Sequence, residues 1–188
     1  IALAGFAGAY DAAAAVAAAM ALGIDPTAAI RSLDGASPAF GRLEHAEVDG
    51  RHVVLTLVKN PASMAASARA ALYHPPDGVQ LALNDQPADG RDVSWIWDVG
   101  FDDLGRVPVV GLTGSRADDL AVRLKYGDGA GRAVQSPADV DPDPASALTA
   151  TLRRVRPGGT LVVLATYTAL LAIRASLEQR GLVPPIPR

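Results

Sequence analysis

Apolar positions along the chain fall into short blocks whose spacing changes from one stretch to the next. Residues 10–22 are almost pure alanine, the best helix former, and Gly23 closes the run. Asp25-Pro26 then offers an N-cap and a first-turn proline for a second helix reaching Leu33. The polar stretch 34–38 interrupts the pattern and marks an expected domain boundary, with residues 1–36 on one side and 37–188 on the other. Beyond it, 42–48 and 51–58 read as strands joined by Asp49-Gly50, a two-residue hairpin signal. Asn60-Pro61 opens a helix to Tyr73, which Pro75-Pro76 closes. Residues 79–83 and 107–112 are apolar runs of strand length. Thr113-Gly114-Ser115 leads into a helix over 116–126, with Ser115 as its expected cap. Gly127 to Gly131 reads as a turn, 133–135 as a short strand, and Asp143-Pro144 as the start of a helix to Arg156. Pro157-Gly158-Gly159 breaks that helix; 160–165 is a strand and 168–180 a helix. Short apolar strands alternating with helices predict an α/β fold, a Rossmann-like and mostly parallel sheet with helices on both faces.

One stretch breaks the pattern. After the strand at 79–83, residues 84–104 read NDQPADGRDVSWIWDVGFDDL, with Asp85, Asp89, Asp92 and Asp98 beside Trp95 and Trp97, the chain's only tryptophans. Tryptophan is costly to leave in water, and unpaired carboxylates are costly to bury. A segment carrying both reads as a loop at a strand's carboxyl end, packed down by its rings and presenting acids. In open α/β sheets that edge is where ligands and partners bind. Two readings stand side by side. In one, Asp89-Gly90 is a turn and Asp92 caps the short segment 94–97. In the other, one carboxylate orients a histidine and stabilises the imidazolium formed when a nucleophile is deprotonated. No suitable histidine or nucleophile accompanies it here, so the second reading needs another chain.

Composition narrows the field. The net charge is −3 and only 5% of the 188 residues are aromatic, so Ala, Val and Leu build the interior and nothing resembles a nucleic-acid footprint. With no cysteine there are no disulfides, thiolate nucleophiles or zinc-cysteine sites, and a cytoplasmic home is the simpler expectation. Ile1-Ala2-Leu3-Ala4-Gly5 carries no start methionine, so a piece of a longer chain is expected. His45, His52 and His74 are scattered without ligand spacing, so no metal site is expected. There is no G-x-x-x-x-G-K-[ST], no G-x-G-x-x-G after a strand and no G-x-S-x-G elbow. Lys59-Asn60-Pro61 places an ammonium near a helix start, where anions are attracted, and Thr113-Gly114-Ser115-Arg116 repeats that arrangement. Each also reads as a capped helix with a solvated cation. Arg123 and Lys125 are expected on a solvated helix face, and Tyr167 in the core.

The strings Leu83-Asn84-Asp85 and Ala88-Asp89-Gly90-Arg91-Asp92-Val93-Ser94-Trp95-Ile96-Trp97-Asp98 closely resemble the family of Mur ligase-like subunits (MurT) of lipid II isoglutaminyl synthase. Phe40-Gly41-Arg42, Lys59-Asn60-Pro61-Ala62, Thr113-Gly114-Ser115-Arg116-Ala117, Arg123-Leu124-Lys125 and Thr166-Tyr167-Thr168 follow in family order. The long acidic string is very specific, and the shorter ones are weak alone. Residues 1–36 resemble the helical end of the family's central ATPase domain, and 37–188 its C-terminal domain. Departures are Asp11 in Gly8-Ala9-Tyr10-Asp11 where asparagine is usual, Ser63 where glycine is common, and Gly100 where an acid usually follows Asp98-Val99.

The resemblance implies a two-protein amidotransferase. A partner glutaminase (GatD-like) releases ammonia, and the Mur-like subunit uses ATP to activate the D-glutamate α-carboxyl of the lipid II stem peptide, at the inner face of the membrane. The product is D-isoglutamine. It further implies a heterodimer in which this domain docks the glutaminase and lends the acid of a Cys-His-Asp triad. By motif position that acid is Asp92, with Asp98 as runner-up. Asp89, Arg91, Trp95 and Trp97 are then docking candidates, while Lys59, Asn60, Asn84, Asp85 and Arg116 are candidates for the substrate cleft. ATP and Mg2+ belong to the full-length subunit, because the family's phosphate loop and zinc-ribbon cysteines lie upstream of these residues; this chain alone is expected to be inactive. The competing expectation is a non-catalytic Rossmann-like module whose tryptophan loop anchors a partner. A small-molecule binder using the strand ends is a third.

Overall fold

The computed structural model describes residues 5–35, 41–73, 75–127 and 140–185. The expected boundary at 36/37, His74, Phe40, residues 128–131 of the glycine-rich turn and the expected strand at 133–135 lie outside them. The chain divides into two compact units, Ile1–Leu43 and Glu44–Arg188.

In the first unit, α1 (Gly5–Ala21) starts five residues before the alanine run, the run's propensity carrying the helix through Gly5 and Gly8. Gly23 leaves the helix end at φ +79°, and α2 (Pro26–Ser32) begins with the Asp25 carboxylate accepting the Ala28 N–H at 3.0 Å. Both caps fall where the spacing placed them.

The second unit holds β1 (Glu44–Val48), β2 (Arg51–Leu57), α3 (Pro61–Tyr73), β3 (Gly78–Ala82), β4 (Val109–Thr113), α4 (Ala117–Tyr126), β5 (Val140–Asp141), α5 (Pro144–Arg154), β6 (Thr160–Ala165) and α6 (Tyr167–Gln179). Its sheet runs β1-β2-β6-β3-β4-β5; only β1 and β2 pair antiparallel, through Asp49-Gly50 at φ +50° and +72°. All other pairs are parallel, so the predicted α/β fold is the one found.

On one face Val79, Leu81, Leu83, Val110, Leu112, Val162 and Leu164 meet Met64 and Ala68 of α3 and Leu120 and Leu124 of α4. On the other, α5 lies over β3 and β4, and α6 over β2. Between β3 and β4 there is no crossover helix. Two 3-10 turns, Ser94–Asp98 and Asp102–Arg106, take its place, and Val93, Ile96, Val99, Phe101, Leu104 and Val107 supply its share of the core. This overturns the expected strand start at Val107, whose N–H closes the second turn by donating to Leu104 O at 3.0 Å.

At the sheet's amino edge, Asp77 Oδ2 accepts the Thr160 N–H at 2.8 Å and Oδ1 accepts from Arg156 Nε at 2.6 Å. That backbone N–H first, and then the guanidinium, hold the Asp77 carboxyl below the usual carboxylate range against the opposing pull of burial. A pKa depressed by folding contributes stability in full above the unfolded value, near about 4, and loses it as pH falls through the folded value. Asp77→Asn is therefore expected to lower Tm at neutral pH and to flatten the decline of Tm below about pH 4. Wild type and variant melting curves with the same pH slope in that window would refute this role.

Candidate functional site

Because β2, β6, β3, β4 and β5 are parallel, their carboxyl ends share one edge of the sheet. The chain moves outward from β3 to β5 and then returns through α5 to place β6 between β2 and β3. That reversal is a topological switch point, where α/β sheets bind ligands. Lys59 and Asn60 follow β2, Thr166 to Thr168 follow β6, Asn84 and Asp85 follow β3, and Ser115 and Arg116 follow β4.

Asn84 ties three of these ends together. Its N–H donates to Thr166 Oγ1 at 2.9 Å and its Nδ2 to Thr168 Oγ1 at 2.8 Å, while its Oδ1 accepts the Ser115 N–H at 2.9 Å. The Leu83 carbonyl beside it accepts the Arg116 N–H at 3.0 Å. Gly114, at φ +100°, lets the chain pass this point; a Cβ there would overlap Leu83 O and lie 2.7 Å from Asn84 Oδ1. The Ser115 hydroxyl donates to Asp85 Oδ1 at 2.8 Å and accepts the Asp85 N–H at 3.3 Å. It is thus occupied thirty residues back and does not cap α4, which starts at Ala117 after Arg116 without a side-chain cap. Arg116 bridges Asp85, at 3.7 Å, and Asp119, at 3.1 Å.

Lys59 and Asn60 stand two strands away. Asn60 Oδ1 accepts the Ser63 N–H at 2.8 Å, and Ser63 Oγ accepts the N–H groups of Lys59 and Asn60 at 3.0 and 3.2 Å. This reciprocal cap occupies the start of α3 with its own side chains. The Lys59 ammonium is exposed, with no carboxylate partner among the described residues.

The acidic loop divides its carboxylates between inside and outside. Asp89 turns inward: Oδ1 accepts the Thr168 N–H at 2.8 Å, and Oδ2 accepts the Thr168 hydroxyl at 2.6 Å and the Gln86 N–H at 3.2 Å. It sits against the first turn of α6, where a negative charge meets the helix dipole. Arg91, Asp92 and Asp98 are exposed. Asp92 Oδ1 accepts the Ser94 N–H at 2.8 Å. The Ser94 hydroxyl, and with it that N–H, holds the Asp92 carboxyl below the usual range, so it is an anion at neutral pH. His52 pairs with Glu47 and His45 lies on β1, the sheet's outer strand; neither is bonded to Asp92 or Asp98.

The tryptophans do not both hold the loop down. Ile96 is buried at 1% exposure and Trp95 packs partly against the core, whereas Trp97 is 53% exposed. Beneath Trp97 lies Arg123. Its Nε donates to Ile96 O at 3.2 Å, its Nη2 to Val99 O at 2.6 Å, and its guanidinium is 5.5 Å from the ring centroids of both Trp97 and Phe101. This corrects the expectation of a solvated Arg123. Lys125 is exposed as expected, and Tyr167 is exposed rather than in the core. Helical spacing cannot reveal that a loop 25 residues upstream folds over one position of α4.

Among the described residues no three His, Cys, Asp or Glu side chains gather as a metal-binding group, and no helix is long and apolar enough to cross a membrane. The site therefore has two parts: a strand-end cluster of Asp85, Ser115 and Arg116 stapled by Asn84, and a lateral turn presenting Asp92, Trp97 and Asp98.

The MurT ligase C-terminal family model matches residues 57–170. The Staphylococcus aureus (strain COL) protein "Lipid II isoglutaminyl synthase (glutamine-hydrolyzing) subunit MurT" is 30% identical over 180 residues, covering 94% of this chain and 39% of that protein. Its Streptococcus pneumoniae counterpart is 31% identical over 185 residues, covering 93% and 38%. The chain thus spans about two fifths of the length of these relatives. Among solved structures, MurF from Acinetobacter baumannii superposes with TM-score 0.64 at 22% identity, covering 93% of this chain and 38% of that one. Folylpolyglutamate synthase from Mycobacterium tuberculosis gives 0.66 at 21%, covering 97% and 42%. These two likenesses establish a fold shared with Mur-type ligases. The family match over residues 57–170, with relatives 30% and 31% identical along nearly the whole chain, means that this chain belongs to the MurT ligase C-terminal family.

Proposed function

We propose that the chain serves as the C-terminal part of the Mur ligase-like subunit of a lipid II isoglutaminyl synthase. In this reading the whole subunit uses ATP and Mg2+ to activate the D-glutamate α-carboxyl of the stem peptide, at the cytoplasmic face of the membrane. Ammonia from a bound glutaminase then gives D-isoglutamine. Residues 1–36 would be the end of the central domain. Among the described residues the strand-end donors do not fit a triphosphate, since the start of α3 is capped from within and Arg116 is committed to two acids. That supports a nucleotide site formed by the longer subunit.

The observation that carries the reading is the lateral turn. An ionised, exposed Asp92 stands at the head of a turn anchored in the core, with no histidine bonded to it among the described residues. Such an acid fits a partner's histidine, fixing its tautomer and stabilising the imidazolium. Trp97 supplies an exposed aromatic of the kind that anchors interfaces. At the strand ends Asn84 has its amide engaged internally and Ser115 and Arg116 are bonded to Asp85, so Lys59 is the cation left to meet a stem peptide, with the Asp85–Ser115–Arg116 cluster on the same sheet edge as the polar rim. One observation favours the module without catalysis: the bond from the Ser94 N–H makes Asp92 a sufficient local cap.

The reading is tested by combining the full-length subunit with its glutaminase, lipid II, ATP and glutamine. An amidated stem peptide is expected by mass spectrometry, and none from the 188-residue chain alone. An assembled pair that hydrolyses glutamine but leaves lipid II unmodified would sink it.

A further inference from the structure

We propose that Arg123 is the positioning residue of the lateral turn, setting the geometry in which Asp92 and Trp97 meet the glutaminase. The inference rests on the docking role proposed above. A 3-10 turn of five residues leaves its last carbonyls without partners inside the turn. Here the Ile96 carbonyl, which also accepts the Val99 N–H at 3.3 Å, and the Val99 carbonyl just past the turn each take a donor from one guanidinium of α4, through Nε at 3.2 Å and Nη2 at 2.6 Å. The fork bonds both carbonyls with two parallel donors, which a lysine cannot reproduce. The same cation lies 5.5 Å from the centroids of Trp97 and Phe101, so it also supports the exposed ring from beneath. Its third nitrogen is confined by Gly127, where an added Cβ would overlap Nη1. Ile96 fixes the turn's depth through the core, and Arg123 fixes its rotation.

Three variants of the full-length subunit, Arg123→Met, Arg123→Lys and Gly127→Ala, separate this from general stability. Arg123→Met keeps the length of the side chain and removes the donors, while Gly127→Ala leaves the arginine in place and displaces it. Amide exchange of residues 94–99, followed by mass spectrometry, is expected to speed up by about tenfold or more in Arg123→Met and Gly127→Ala, and by less in Arg123→Lys. Exchange in β3 and β6 should stay unchanged. With the glutaminase saturated by variant subunit, turnover is expected to fall by about a hundredfold with KM for glutamine little changed, as for a displaced catalytic group. Unchanged exchange at 94–99, or full turnover despite faster exchange, overturns the proposal. Asp92→Asn measured beside them separates the two ideas. If it keeps turnover, the shared-acid reading has failed, and the exchange data still decide whether Arg123 sets the turn. If it loses turnover while Arg123→Met and Gly127→Ala keep theirs, Arg123 is not the positioning residue.

Discussion

Replacing Asp92 with asparagine is expected to cut glutamine turnover of the assembled subunits by about ten-thousandfold, the scale seen when a triad acid loses its charge. The substitution is chosen because it isolates that charge. Asparagine keeps a carbonyl oxygen to accept the Ser94 N–H, now bonded at 2.8 Å, so the head of the turn should hold its shape. What changes is the outward side, where an anion becomes an amide that no longer imposes one tautomer on a facing imidazole or stabilises its protonated form. The partner's affinity should therefore stay within a few-fold of wild type while kcat collapses. Asp98→Asn, at the exposed far end of the same turn, is the matched comparison. Full turnover in Asp92→Asn would reduce Asp92 to a cap, and a collapse in Asp98→Asn would move the role there.

Gly114→Ala should destabilise the second unit by about 2–6 kcal/mol, adding about 1–3 for a backbone conformation alien to alanine to about 1–3 for overpacking. The added methyl would meet the Leu83 carbonyl, which cannot swing aside because it accepts the Arg116 N–H at 3.0 Å. Gly90 offers the control, since its φ is likewise positive, at +90°, but a Cβ there meets nothing within 4 Å. Gly90→Ala should show the conformational cost alone. Denaturant unfolding measures both, and equal losses would mean that the crowding at Gly114 relaxes freely. Because Asn84 and Ser115 are the groups crowded, any Gly114→Ala protein that folds should also have a disturbed strand-end cluster.

Local chemistry was legible in the sequence wherever it was self-contained. Asp25-Pro26, Asn60-Pro61 and Asp143-Pro144 start helices through bonds to residues two or three positions on, so neighbours alone determine them. Asp49-Gly50 carries its hairpin in the same way. What escaped depended on distant partners. β5 is two residues whose pairing comes from β4, too short for any periodicity. Ser115 looked like a cap, but Asp85 takes its hydroxyl. Arg123 occupies a position of α4 that becomes covered only once the 94–99 turn folds back. The insertion of β6 between β2 and β3 is a matter of chain order in space, which no local spacing records. Within the candidate site, Asp92 was singled out by its motif and is exposed, whereas the inward fate of Asp89 needed Thr168, seventy-nine residues away.

The missing helix between β3 and β4 constrains how this protein can change over generations. In most α/β units the residues that fill the core and those that face other molecules sit on different elements and drift separately. Here Ile96, Val93 and Val99 fill the interior while Asp92, Trp97 and Asp98, interleaved with them, face outward. A substitution that retunes recognition at this turn therefore also perturbs the interior one residue away. Lineages altering the partner surface would be expected to do so by paired replacements across the turn and α4, or from the flanking residues 86–91, where no side chain belongs to the core.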